Sequence, residues 1–357
     1  MKFNRLALVL FVCFTLSACG GNSSDGKSNV KAQNPKQEAT ASQGKAENAQ
    51  VVKTQAGKEQ EDTSYLKKMK CPENAKKMLF ASDWSPLQTT NFDILSVNDD
   101  GTEITRLTDR SVWEGSPVWS ADRCRIAYSA LTDSKNEFDK DALLDIYVMD
   151  PDGSNRVRLT STKENDDQPD WSPDGKRIVF MSERDKNREI YVMSSKGTDQ
   201  ERLTNSKAND EHPHWSPNND RIVFSTHRDG NWEIYLMDLD GSNLVNLTKN
   251  KADDKDSAWS PDGNQMAFIS NRSGIKEIYI MDKDGSNVRQ VTRQNGKKPT
   301  IDQDIAWSPD GQWLAFAGTV TSKEGKDIQA IYKISLDGSK LVKAVNRDPS
   351  TSNSVEW

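Results

Sequence analysis

Short apolar runs separated by polar turns recur along the chain from about residue 77 onward. Runs such as Arg177–Phe180 and Glu189–Met193 are rich in β-branched and aromatic residues, and clusters of Pro, Gly, Asp and Asn bound them. This combination is typical of β-strands joined by tight turns. The apolar residues show no helical periodicity after about residue 70, so the pattern predicts an all-β domain.

Six tryptophans mark the period of this pattern: Trp119, Trp171, Trp215, Trp259, Trp307 and Trp357. Their successive spacings are 52, 44, 44, 48 and 50 residues. A repeat of about 40–50 residues that contains only strands predicts a β-propeller, in which small sheets surround a central axis. Each repeat supplies four strands, which we name A to D in chain order. Strand A ends at the tryptophan.

The number of blades follows from the B strands, each of which carries an aromatic residue at the same place: Phe80, Tyr128, Phe180, Phe224, Phe268 and Phe316. The first of these strands has no A strand before it, whereas Ser354–Trp357 reads as an A strand with no B strand after it. We therefore predict six four-stranded antiparallel blades, with the carboxyl-terminal strand completing blade 1. Such closure hides strand edges that an open stack would expose.

The Trp-Ser-Pro-Asp-Gly segments at Trp171–Gly175, Trp259–Gly263 and Trp307–Gly311 resemble the WD40-like PD40 repeats of TolB-type propellers. Looser copies begin at Trp119 and Trp215. The resemblance covers residues 77–357 and implies the same closed ring. Because propellers serve many functions, the role must be argued from individual sites.

The amino-terminal residues predict export and a lipid anchor. Residues 1–18 combine two basic residues with an apolar stretch, as in a lipoprotein signal peptide. Leu16–Cys19 resembles a bacterial lipobox, which implies that Cys19 is lipidated. Residues 19–70 are predicted to be the anchor and a flexible linker, since they contain few bulky apolar side chains. Residues 71–357 are assigned to the propeller.

Charge narrows the class of partner. The chain has a net charge of −6, of which residues 1–19 contribute +2 and residues 20–70 contribute +3, so about −11 falls on residues 71–357. An acidic propeller of this kind does not favour nucleic-acid binding. We expect a monomeric propeller that binds an envelope protein or a basic peptide segment, with no cofactor.

Two cysteines remain besides Cys19 after removal of the signal peptide. Cys71 precedes strand B of blade 1, and Cys124 lies in the A–B turn of blade 2. Both positions belong to the same face of adjacent blades, and an exported protein permits disulfides. We predict that Cys71 and Cys124 pair; the alternative is two unlinked thiols.

An acidic residue stands five positions before five of the tryptophans: Glu114, Asp166, Asp210, Asp254 and Asp302. Each lies where an innermost strand begins, so together they could surround the channel mouth and attract a cation or a basic segment. The alternative is structural. Each carboxylate would then cap a turn or pair with one of the repeated arginines Arg184, Arg228 and Arg272.

The three histidines of the chain, His212, His214 and His227, all fall in the fourth repeat. Asp210, His212 and His227 would share one sheet face if the A and B strands pair as expected, which makes them a candidate metal site. Such a site would suit a metal-assisted lyase or hydrolase acting on polysaccharide. Since residue 227 is a variable position of the repeat and no nucleophile motif is present, we predict neither a metal site nor catalytic residues.

The B–C connections divide the blades into two groups. Those of blades 3, 4 and 5 are equally short, whereas those of blades 6, 1 and 2 are longer and would be neighbours in a closed ring. Long loops clustered on one sector suggest a binding surface, although neutral loop growth would give the same pattern. The sequence thus favours a lipid-anchored propeller that binds or scaffolds envelope proteins.

Overall fold

The structure is a computed structural model. It describes residues 77–83, 92–109, 112–132, 142–293, 299–322, 325, 327–345 and 352–357. All of them belong to one structural unit, Asp62–Trp357. No helix in these ranges has the length and apolar character needed to cross a membrane.

The described strands form six four-stranded antiparallel sheets, which confirms the predicted six-bladed propeller. From the inner to the outer strand, the first three blades are β24 (Ser352–Glu356), β1 (Lys77–Ser82), β2 (Asp93–Asn98) and β3 (Thr105–Arg106) in blade 1; β4 (Glu114–Trp119), β5 (Ile126–Leu131), β6 (Leu144–Met149) and β7 (Val157–Arg158) in blade 2; β8 (Asp166–Trp171), β9 (Arg177–Ser182), β10 (Glu189–Ser194) and β11 (Glu201–Arg202) in blade 3.

The other three blades keep the same order of strands. They are β12 (Asp210–Trp215), β13 (Arg221–Thr226), β14 (Glu233–Asp238) and β15 (Val245–Asn246) in blade 4; β16 (Asp254–Trp259), β17 (Gln265–Ser270), β18 (Glu277–Asp282) and β19 (Arg289–Gln290) in blade 5; β20 (Thr300–Trp307), β21 (Trp313–Thr321), β22 (Asp327–Ser335) and β23 (Leu341–Lys343) in blade 6.

The ring is closed by the carboxyl-terminal strand, as predicted. β24 pairs antiparallel with β1, and Phe80 lies opposite Val355. Arg123 of blade 2 supports this closure, because its Nη2 donates to the backbone oxygen of Trp357 at 2.8 Å and its Nη1 donates to that of Lys77 at 3.2 Å. Blade 1 is thus built from both ends of the described chain.

The hydrophobic core is divided among the blade interfaces. One cluster of buried side chains joins each neighbouring pair of blades, and the cluster between blades 6 and 1 includes Met78, Phe80, Ala315 and Trp357. A sheet can bury both faces only if it has neighbours on both sides, so each blade depends on the next.

The repeated glycine of the C–D turns has a packing reason. Gly241 has φ +80°, and a Cβ atom there would lie 2.2 Å from the backbone oxygen of Leu203 in the preceding blade. Only glycine combines this backbone conformation with so close an approach. The Asp-x-Asp-Gly turns therefore set the spacing between blades.

Candidate functional site

The inner strands carry a recurring irregularity that sets the lining of the channel. In β12, for example, the pairing with β13 shifts register between Glu211 and His214. The residue three positions before the tryptophan then has φ between 48° and 55° in five blades. The shift leaves one extra residue on the inner strand, and such a bulge changes the direction in which the side chain points. This residue belongs to a set that we call the channel ring, with one member per blade: Ser116, Gln168, His212, Asp256, Asp304 and Ser354.

All six members of the channel ring line one cavity on the axis of the propeller. The cavity is partly open, and the space inside it amounts to about 560 Å³ when the part open to solvent is counted. His214 and Glu356, two residues farther along their strands, line it as well. Every inner strand thus contributes to one cavity that polar and apolar side chains line together, and this cavity is the candidate functional site.

His212 is held in one orientation by its neighbours. Its backbone N–H donates to Gln168 Oε1 at 2.8 Å, which leaves the amide nitrogen of Gln168 3.1 Å from His212 Nε2. Because an amide nitrogen can only donate, Nε2 accepts and Nδ1 carries the proton of the neutral ring. His212 Nδ1 lies 3.3 Å from Asp256 Oδ1. Blades 3, 4 and 5 are therefore linked across the cavity wall.

A second histidine–carboxylate contact lies two residues farther along the same strands. His214 Nδ1 is 3.6 Å from Asp170 Oδ2, which also accepts the backbone N–H of Trp215 at 2.7 Å. Burial alone would lower the pKa of His214, but the hydrogen bond and charge of Asp170, with the charges of Glu356 and Asp304, raise it above 6.5. These neighbours thus favour the imidazolium form more than water does.

Two carboxyl groups of the cavity are held close to neutrality. Burial, reinforced by the charge of Asp256, raises the pKa of Asp304 to about 8. Burial, reinforced by the charge of Asp170, raises the pKa of Glu356 to about 7. Such shifts mark places where negative charge is poorly compensated.

The acidic series five positions before the tryptophans has a different environment. Glu114, Asp166, Asp210 and Asp254 are fully buried, and Asp302 is half-buried. Three of them pair with the repeated arginines: Arg184 with Asp166 at 3.0 Å, Arg228 with Asp210 at 3.0 Å and Arg272 with Asp254 at 3.0 Å. Asp302 Oδ2 accepts the hydroxyl of Thr319 at 2.7 Å. Three of the five carboxylates thus make the arginine pairs of the structural alternative, while binding by this series at the channel mouth stays a prediction.

The three residues weighed as metal ligands have separate environments. Asp210 is engaged by Arg228, His212 lies in the channel ring, and the exposed His227 packs edge-on against Trp232. Within the described ranges no group of three or more His, Cys, Asp or Glu side chains is placed to hold a metal ion.

Cys124 forms a disulfide, and its partner lies outside the described residues. Pairing with Cys71 therefore stays a prediction, as does lipidation at Cys19, which also lies outside them. The long B–C connections of blades 1, 2 and 6 lie largely outside the described residues too.

The channel ring was missed because its members share no residue type. A repeated aspartate is visible in an aligned repeat, but Ser, Gln, His, Asp, Asp and Ser at one position are not. The available signal was a polar residue three positions before every tryptophan. In a regular strand, however, side chains alternate between the two faces, and that alternation would not have directed this residue into the channel.

Comparison with known proteins agrees with this architecture. Residues 201–300 match the model of the TolB beta propeller domain, and residues 142–233 match that of the Tricorn protease N-terminal beta propeller domain. An uncharacterized protein of Agrobacterium fabrum is 38% identical over 74 residues, which is 21% of this chain and 22% of that protein.

Solved structures show the same fold over a longer range. TolB from Acinetobacter baumannii superposes with a TM-score of 0.67 at 23% identity, covering 79% of this chain and 66% of that one. A TolB-like protein of Agrobacterium tumefaciens gives a TM-score of 0.58 at 18% identity, covering 78% and 94%. This chain thus spans just under two thirds of the first structure and nearly all of the second.

Proposed function

Since this chain is a β-propeller of the TolB type built from PD40 repeats, we propose that it is a binding module of the bacterial cell envelope. Its partner is another envelope protein, a segment of which enters the central channel. The propeller serves as the scaffold, and the channel ring supplies the contacts that select the partner.

The channel ring is the observation that carries this proposal. Positions that only maintain the repeat have the same demands in every blade and are filled alike, as the arginine-paired aspartates are. Five of the six ring positions share one backbone conformation, yet the six carry four kinds of polar side chain. A set of unlike hydrogen-bonding groups around one cavity is what recognition of a particular ligand requires.

The location belongs to the same proposal. We assign residues 1–18 to a signal peptide, Cys19 to the lipid attachment point and residues 19–70 to a tether. Several acyl chains on one residue would anchor the protein stably, where a single chain binds only marginally. Tethered in this way, the propeller would search the envelope for its partner close to the membrane.

Site-specific photo-crosslinking in cells tests which surface binds. A photoreactive amino acid is placed in the full chain at Ile275, an exposed residue of the B–C loop of blade 5. Matched variants carry it at the exposed Asn264 in the A–B turn of the same blade, and at Val157 on an outer strand. Because the inner strands begin on the B–C side, we expect a discrete crosslinked species from Ile275 and from neither control.

A crosslinked species from Val157 and not from Ile275 would place binding on the outer wall and overturn the channel proposal. Capture from Asn264 alone would place it on the opposite face. Cys19→Ala, which removes the proposed lipid site, should release the protein from the membrane fraction if the assigned anchor is correct.

A further inference from the structure

Three neighbouring blades present oxygen acceptors at the same level of the channel. Asp256 of blade 5, Asp304 of blade 6 and Ser354 of blade 1 occupy equivalent positions of the channel ring, and all three line the cavity. We propose that this sector binds an alkylammonium group, namely a lysine side chain of the partner. This inference rests on the proposed function, because that function supplies the partner.

Unsatisfied polar atoms point to a ligand at this sector. Ser354 is only 7% exposed, yet its Oγ makes no hydrogen bond. Asp256 is 9% exposed, and its Oδ1 lies 3.3 Å from His212 Nδ1 without completing a hydrogen bond. The adjacent Ser257 Oγ is likewise unbonded and lines the same cavity. Buried polar atoms normally find partners, so these atoms are suited to a donor supplied from outside the chain.

An ammonium group fits the type and number of these acceptors. It has three N–H donors and no acceptor, whereas the sector offers two carboxylates and a hydroxyl. A metal ion would need a tighter set of ligands, and no such set exists among the described residues. The alkyl chain of a lysine is also slender enough to reach along a channel while its charged end is desolvated.

The surrounding charges favour a cation. Asp304 is influenced by Asp256, Asp167 and Glu356, all acidic, while His214 is the cation that opposes them. Glu356 in turn is influenced by Asp170, His214 and Arg123. A bound ammonium would relieve the repulsion between Asp256 and Asp304. It would also displace a proton from Asp304, whose pKa is about 8 without it.

Isothermal titration of the full chain with Nα-acetyl-lysine methylamide tests the site. The matched neutral probe is the norleucine analogue, which has the same backbone and an uncharged alkyl side chain. We expect the lysine probe to bind at least tenfold more tightly than the norleucine probe. At pH 7 binding should release protons, seen as a heat that depends on the ionisation enthalpy of the buffer.

Asp256→Asn and Asp304→Asn together should weaken the lysine probe at least tenfold and abolish proton release. Asp240→Asn, in the exposed C–D turn of blade 4, should change neither. Cadaverine, a free diamine, distinguishes the two possible sources of the ammonium group. If cadaverine bound as tightly as the lysine probe, the ligand would be a small amine instead of a peptide side chain.

Equal binding of the lysine and norleucine probes would overturn the proposal, as would undiminished binding and proton release in the double variant. Neither result would affect crosslinking from Ile275, so failure of the ammonium site is distinguishable from failure of the proposed partner surface.

Discussion

Replacing Trp357 with alanine should destabilise the propeller by about 3–5 kcal/mol, the usual cost of truncating a buried tryptophan. Trp357 is 5% exposed and packs in the cluster that joins blades 6 and 1. Its removal opens a cavity at the interface where the two ends of the described chain meet. The free energy of unfolding, from urea denaturation of the purified full chain, gives the size of the loss.

Hydrogen exchange shows where this loss acts. In Trp357→Ala the amides of Met78–Ala81 in β1 should lose more protection than those of β13, because β24 pairs with β1. Trp259→Ala is the matched control, since Trp259 holds the same repeat position in blade 5 but is half-buried. It should cost less and leave β1 protected. Equal loss of protection in all blades for both variants would contradict this account of closure.

Replacing Arg228 with methionine should cost about 3 kcal/mol at neutral pH. The change leaves the fully buried carboxylate of Asp210 without the guanidinium that now lies 3.0 Å away. Breaking one side of a buried ion pair is strongly destabilising because the remaining charge is uncompensated, while methionine retains much of the packing of the arginine stem. Urea denaturation at several pH values measures the effect.

The pH dependence of the Arg228→Met deficit has a defined sign. Burial already raises the pKa of Asp210, opposed by the Thr226 hydroxyl and by Arg228. Losing Arg228 raises that pKa further. When a carboxyl group has a higher pKa in the folded than in the unfolded protein, the stability it contributes is fully present below the unfolded-state pKa. That stability is lost as the pH rises through the folded-state pKa. The deficit should therefore be smaller at pH 5 than at pH 8.

Arg221→Met is the control for this prediction. Arg221 lies 2.9 Å from Asp238 in the same blade, but the two side chains are 39% and 32% exposed. An exposed pair of this kind contributes less than about 1 kcal/mol. If both variants lost the same free energy, burial of the Arg228–Asp210 pair would not be the cause.

The fold could be predicted because the same pattern of strands and turns recurs in six repeats. Trp-Ser-Pro-Asp-Gly turns, period-two strands and an unpaired final strand each point to the same ring, and pairing of β24 with β1 confirms it. The alternative of Arg184, Arg228 and Arg272 pairing with the acidic series was also visible, because both partners recur in register.

The channel could not be read in the same way. Whether the side chain of His212 or of Asp256 faces the axis depends on a register shift that places an extra residue in the inner strand. A shift of one residue exchanges the two faces of a strand, and no residue type in the repeat announces it. Geometry was needed to separate the channel ring from the buried acidic series.

Titration of His214 by NMR tests the closed ring and its channel most directly. Glu356 lies on β24 and influences His214 of blade 4 only if the last strand completes the inner wall. We predict that His214 titrates above pH 6.5 and that its midpoint falls in Glu356→Gln. A His214 midpoint at or below 6.5, or one unaffected by Glu356→Gln, would contradict the account.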